Sequence, residues 1–159
     1  VAVDNAPAMV DQCRANLKAE KSQVPVEVRC ADIREVDIQN ASIVALNFTL
    51  QFIEPDKRQD LLRRIYEGLH PGGVLVISEK VVFEEGSEQK FQEAMHLDFK
   101  RANGYSELAI SQKRTALENV LHPESLEAHE TRLRNAGFAN VHTWFRCFNF
   151  ASMAAFKTS

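Results

Sequence analysis

Short apolar runs alternate with amphipathic stretches through residues 1–80, and this alternation constrains the fold more than any other feature. Val1-Ala2-Val3 stops at Asp4-Asn5 and reads as the end of a buried strand, which predicts a further segment ahead of Val1. Pro7 suits a first helical turn, and Met9, Val10, Cys13 and Leu17 then fall on one helical stripe. Val26-Glu27-Val28-Arg29-Cys30 alternates as a half-buried strand ending at Asp32. Residues 41–48 form a nearly continuous apolar run with β-branched Ile43 and Val44, as expected of a strand covered on both faces. Pro55-Asp56 opens a helix with a Leu61, Leu62, Ile65 and Leu69 stripe. Gly68 and Pro71-Gly72-Gly73 close it, and Val74-Leu75-Val76-Ile77 follows as a buried strand. Strand, helix, strand, connector, strand, helix, strand is the order of a parallel sheet with helices on its faces.

Beyond this block the pattern changes. Phe91, Met95, Phe99 and Ala102 suggest a helix, and residues 108–121 suggest one or two more after Asn103-Gly104. Ser125 can cap a last helix carrying Leu126 and Leu133, with Gly137 at its C′ position and Phe138 packing back. Residues 141–147 and 150–156 read as an antiparallel hairpin returning near Asn149 and closing the sheet. The chain therefore reads as a single domain over residues 1–159, with a helical segment at 87–122 lying over a pocket or a dimer interface.

Composition narrows the function. The 19 basic and 22 acidic residues give a net charge of -3, which argues against a broad nucleic-acid-binding face. No run is long and apolar enough for a membrane span, and no signal peptide is visible. Cys13, Cys30 and Cys147 are odd in number and widely spaced, so they read as reduced core thiols of a cytoplasmic protein. G-x-G-x-x-G, Walker A, G-x-S-x-G and H-E-x-x-H patterns are all absent, and no metal site is expected.

In an open parallel sheet, ligands bind beyond the carboxyl ends of the strands. Three polar residues fall there: Asp4, Asp32 and Asn47. Asp4 can accept from a pair of ribose hydroxyls, or cap the following helix. Asp32 can accept from an exocyclic amine while the Ile33 N–H reaches a ring nitrogen, or it can be a plain turn residue. Asn47, in an apolar strand, needs a partner for a buried amide, and a ligand and the backbone both qualify. Together they outline an adenosine site without a phosphate cradle. Arg114 reads by spacing as a solvated helix charge. His96 with Asp98 reads as a surface or partly buried pair.

Four segments carry a resemblance: Val3-Asp4-Asn5-Ala6-Pro7-Ala8-Met9, Val44-Ala45-Leu46-Asn47-Phe48-Thr49-Leu50-Gln51-Phe52, Leu69-His70-Pro71-Gly72-Gly73-Val74-Leu75 and Asp98-Phe99-Lys100-Arg101-Ala102-Asn103-Gly104-Tyr105-Ser106-Glu107-Leu108. With Ser111-Gln112-Lys113-Arg114 and Leu117-Glu118-Asn119-Val120, they resemble the carboxy-S-adenosyl-L-methionine synthases over essentially the whole chain. The third segment is generic to S-adenosylmethionine-dependent methyltransferase folds; the second and fourth are more specific.

The resemblance implies an α/β, Rossmann-like class I methyltransferase fold. Its sheet is mostly parallel with a C-terminal antiparallel hairpin, and the first strand is absent here. It implies conversion of S-adenosyl-L-methionine and prephenate to carboxy-S-adenosyl-L-methionine and phenylpyruvate. A separate tRNA carboxymethyltransferase would use the product at the wobble uridine, and the enzyme would act as a homodimer with no direct nucleic-acid or membrane contact. By match to the family pattern, Asp4 and Asn5 would hold the ribose region and Asp32 and Ile33 the adenine. Asn47 would line the pocket near the sulfonium, and Arg114 would pair with the new carboxylate. A small-molecule methyltransferase of the same fold and a non-catalytic fragment are the alternatives. Two departures follow. Without the central first strand, two sheet fragments with unpaired edges are expected, and with them poor folding, oligomerisation or weak cofactor binding. Ala6 stands where the family commonly has serine, so a helix cap worth about 1 kcal/mol is lost unless Asn5 substitutes.

Overall fold

The computed structural model describes residues 1–20, 23–118 and 120–158; Asn119 of the last resemblance segment lies outside the described residues. The chain forms two compact units, Val1–Asp37 and Ile38–Ser159. In the first, strand β1 (Ala2–Asp4) pairs in parallel with β2 (Val28–Cys30), with Asp4 opposite Cys30. Helix α1 (Pro7–Ala19) connects them. Proline occupies its first turn, where a missing N–H costs nothing. Val10 is buried and Cys13 and Leu17 are half-buried, as the stripe predicts, but Met9 is exposed.

The second unit is built on a mixed sheet. Strand β3 (Ala41–Asn47) runs parallel to the long β4 (Leu69–Val82). The hairpin of β6 (Asn140–Cys147) and β7 (Phe150–Phe156) returns antiparallel, with β7 against β4. The order is β3-β4-β7-β6, and a two-residue strand β5 (Glu124–Ser125) pairs with the far end of β4. Helix α2 (Pro55–Gly68) links β3 to β4, and Arg58, Leu61, Leu62 and Ile65 form its buried face at i, i+3, i+4 and i+7. Each such aliphatic side chain contributes roughly 1.5–3 kcal/mol of burial. Helices α3 (Gly86–Ala102), α4 (Glu107–Glu118) and α5 (Leu126–Asn135) follow. Ser125 Oγ accepts the Ala128 N–H at 3.2 Å, the predicted cap. Gly137 adopts φ 115, and Phe138 behind it is fully buried.

Alternation along β4 separates two environments: Leu75, Ile77, Glu79 and Val81 are buried, while Val74, Val76, Ser78 and Lys80 on the other face are half-buried. Both sheets have edges without a strand partner among the described residues, β1 and β2 in one and β3 and β6 in the other.

Several expectations need correction. β4 starts at Leu69, not Val74. The Pro71-Gly72-Gly73 segment is an irregularity inside it, where pairing jumps from Ala41–Leu69 to Ile43–Val74 and Gly72 takes φ 76. β3 is not covered on both faces, because Ile43 is 67% exposed. The cysteines are free, but Cys30 and Cys147 are exposed and Cys13 is half-buried, so none is a core thiol. The short strand β5 had no signal in a two-residue stretch.

Candidate active site

The first unit brings two of the predicted acids to one end of its sheet. Asp4 ends β1, and Asp32 follows the residue opposite Asp4 by two positions. Asp4 is exposed, and its Oδ1 accepts the Ala6 N–H at 2.8 Å. Ala6 gives α1 no side-chain cap, so Asp4, not Asn5, takes over part of that work. Asn5 is exposed beside it. Asp32 is half-buried and closes an Asx turn: its Oδ1 accepts the Arg34 N–H at 2.8 Å, and its Oδ2 accepts Arg34 Nη2 at 2.6 Å. The Arg34 guanidinium holds the carboxyl below the usual range. Ile33 is half-buried.

In the second unit, Asn47 is the last residue of β3, opposite Ser78, and it is exposed. The expectation of a buried amide fails because the strand ends at this residue, leaving the side chain at the exit. Phe48 then takes φ 53, a left-handed conformation uncommon for a bulky residue. Its N–H is held by Ser78 O at 2.7 Å. A single 3-10 turn, Leu50–Phe52, follows.

What fixes this turn has no signature in the local sequence. Glu79, fully buried on β4, accepts the N–H groups of Thr49 at 3.1 Å and Leu50 at 2.8 Å on Oε1, and of Gln51 at 3.1 Å on Oε2. One carboxylate thus satisfies the three orphan donors of the turn. Burial pushes its pKa up to about 7, against the opposing pull of these N–H groups and of Arg58. Gln51 is buried too, and its Oε1 accepts the Lys80 N–H at 3.1 Å.

Cations and aromatic rings meet at the same end of the sheet. Lys80 lies opposite Phe150 in the β4–β7 ladder. His96 of α3 stacks on Phe148 at 5.9 Å and meets the Phe150 ring edge-on at 5.0 Å. Phe48 packs edge-on against Phe150 at 5.7 Å, and Phe99 lies 5.4 Å from Phe148. Lys100 follows His96 by one helical turn, and Lys113 and Arg114 follow buried Ile110 of α4 by one turn. Partial burial, then the charges of Lys100, Lys80 and Lys113, hold His96 below its usual range. Partial burial, then Lys113, Lys80 and Arg114, lower Lys100. Arg114 is exposed and forms no ion pair among the described residues. The expected His96–Asp98 pair is not formed, because Asp98 binds Arg101 at 2.8 Å.

Behind α2 an ionic group braces the turn from the other side. Arg58, fully buried, donates to Ile53 O at 2.8 Å, to His122 O at 2.7 Å and to Glu124. Arg132 grips the same carboxylate at 2.5 and 2.6 Å. Burial alone would raise Glu124, but the two guanidinium groups outweigh it and hold the carboxyl low.

Parallel strands exiting toward acids and an amide, and a β4–β7–β6 antiparallel return, define a class I methyltransferase-type α/β domain. Residues 1–73 match the methyltransferase domain family. Solved structures agree on the fold. The S-adenosylmethionine-dependent methyltransferase SibL superposes with a TM-score of 0.67 at 17% identity, over 100% of this chain and 43% of that one. An S-adenosylmethionine-dependent methyltransferase from Thermotoga maritima gives 0.61 at 15% identity, over 99% of this chain and 73% of that one.

Within that class the sequence is more specific. The chain is 56% identical, over 99% of its length, to the carboxy-S-adenosyl-L-methionine synthase of Shewanella halifaxensis. It spans 65% of the length of that relative.

Proposed function

We propose that the protein converts S-adenosyl-L-methionine and prephenate to carboxy-S-adenosyl-L-methionine and phenylpyruvate. The observation that carries this reading is 56% identity across 99% of the chain to a protein of that name. The site residues support it by their chemistry. Asp4 and Asn5 would hold the ribose hydroxyls. The Ile33 N–H and Asp32 would hold the adenine edge, with Asp32 sharing its oxygens between the amine and Arg34. Asn47 would face the methionine end of the substrate.

The reaction adds the elements of carbon dioxide to the sulfonium methyl carbon. Prephenate releases carbon dioxide and hydroxide as its ring becomes aromatic. The sulfonium acidifies the attached methyl, the expelled hydroxide takes that proton as water, and the ylide carbon bonds to the carbon dioxide. Arg114 is a fork of donors suited to the carboxylate so formed, and methyl transfer alone would have no use for it.

The same reading assigns the protein to the cytoplasm; among the described residues no helix is long and apolar enough to cross a membrane. It makes the protein a homodimer, its product passing to a tRNA carboxymethyltransferase. Phe91, Met95 and Phe99 support the dimer: they recur every fourth residue of α3 and are 60%, 40% and 53% exposed.

The test supplies both substrates to the protein and resolves the nucleosides by mass spectrometry. Carboxylated S-adenosylmethionine, with phenylpyruvate in equal amount, is the expected product. S-adenosylhomocysteine alone would make the protein an ordinary methyltransferase. Replacing Arg114 by leucine should lower carboxylated product at least 100-fold, and unchanged product would remove Arg114 from the site.

A further inference from the structure

Beside the β3 exit, the second unit concentrates positive charge without a protein counter-ion. Lys80 and Lys100 are half-buried, and Lys113 joins them from α4. None of these ammonium groups forms an ion pair among the described residues, whereas ion pairs such as Arg58–Glu124, Arg132–Glu124 and Arg101–Asp98 form elsewhere. Half-buried cations that repel one another are unfavourable unless an anion joins them.

The rings beside them are equally specific. His96, Phe148 and Phe150 form a joined aromatic wall, and Phe48 extends it to the β3 exit. Phe48 and Phe148 both hold left-handed backbone, φ 53 and φ 52. Strain at such residues is kept where the surroundings require a particular ring position. Close to the wall, Lys80 sits directly opposite Phe150 and Lys100 lies one turn beyond His96.

We infer that Lys80, Lys100 and Lys113, with the wall of His96, Phe148 and Phe150, form the binding site for the second substrate, a ring-bearing dicarboxylate. This rests on the reading above and extends it to residues that the reading did not include. The ring lies against the aromatic wall, and the three ammonium groups neutralise its carboxylates. Prephenate has this chemistry, and phenylpyruvate retains the ring with a single carboxylate. Loss of one carboxylate as carbon dioxide removes a negative charge from the cluster, so the product is held less tightly than the substrate. The nearness of Phe48 to Asn47 puts the departing carboxylate at the methionine-facing exit.

The experiment measures prephenate and phenylpyruvate binding by calorimetry and steady-state kinetics in the wild-type protein and in the Lys80→Met, Lys100→Met and Lys100→Arg variants. Lys80→Met and Lys100→Met should each raise the prephenate Kd and KM at least 10-fold and the phenylpyruvate Kd by less. The Kd for S-adenosylmethionine should not change, and Lys100→Arg should restore most of the prephenate affinity. Circular dichroism melts confirm that each variant folds; if Lys80→Met does not, Lys113→Met takes its place. Unchanged prephenate KM in the Met variants, or equal weakening of S-adenosylmethionine, would overturn the site. The two readings fail separately. Lysine-dependent binding of both acids without carboxylated product would leave the site standing and remove the synthase activity. Carboxylated product at unchanged KM in the variants would do the reverse.

Discussion

Glu79 offers the sharpest test of how the β3 exit is built, because its replacement by glutamine removes a charge while nearly preserving shape. The carboxyl is raised from its ordinary 4.5 to about 7, mainly by burial. Between these pH values the folded protein keeps a proton on Glu79 that the unfolded chain has lost. The resulting stabilisation is complete below pH 4.5 and is lost as pH rises through 7. At about 1.4 kcal/mol per pH unit, the whole change is about 3 kcal/mol. Glutamine cannot ionise, so Glu79→Gln lacks this change. It also places an N–H₂ where one carboxylate oxygen met a backbone N–H, at a cost of roughly 1–3 kcal/mol.

Wild-type stability alone would hide the effect. His129 is 2% exposed, with both ring nitrogens unpartnered among the described residues, and burial pulls its pKa down to about 4. Its contribution is complete above pH 6.5 and is lost as pH falls toward 4, opposite in sign to that of Glu79. The quantity to measure is therefore the difference between wild type and Glu79→Gln in urea unfolding, followed by far-ultraviolet circular dichroism from pH 4.5 to pH 8. The advantage of wild type should shrink by about 3 kcal/mol across that range. A difference that is flat within about 0.5 kcal/mol, or that grows with pH, would refute the assignment of a protonatable carboxyl to this turn.

Two further substitutions test the packing. Gly68→Ala would place a Cβ 2.0 Å from Ile38 O, a backbone atom that cannot swing aside, so a loss of at least about 3 kcal/mol in thermal or urea unfolding is expected. Glu124→Gln leaves the buried Arg58 and the nearby Arg132 without their shared carboxylate; a loss of about 3–5 kcal/mol is expected, and less than about 1 would show the ionic group to be dispensable.

Local signals explain which parts of the molecule could be read in advance. β1, β3, α2 and the Ser125 cap announce themselves through β-branched residues, an i, i+3, i+4 stripe and a side-chain oxygen three residues before its N–H, and β7 through an apolar run without β-branching. Asp4, Asp32 and Asn47 stand out in the sequence because each ends or closely follows a strand-like run. The start of β4 is hidden in the sequence because Pro71-Gly72-Gly73 has the composition of a turn, yet Leu69 pairs with Ala41 ahead of it and Gly72 and Gly73 bond the backbone of Lys157, just past β7. Ala6 hid the fact that Asp4 takes over capping. Glu79 and the lysine–aromatic group were illegible for a different reason. In Ser78-Glu79-Lys80 a charged pair looks like a solvated strand end. Only the fold brings three N–H groups onto Glu79, and only the antiparallel return of β7 puts Phe150 against Lys80.

The most direct test follows one carbon atom. Prephenate labelled with carbon-13 in the carboxyl group that is lost should transfer the label to the nucleoside, seen by mass spectrometry as a carboxylated S-adenosylmethionine one mass unit heavier than its unlabelled form. Label recovered only as bicarbonate, with S-adenosylmethionine unchanged, would contradict the account.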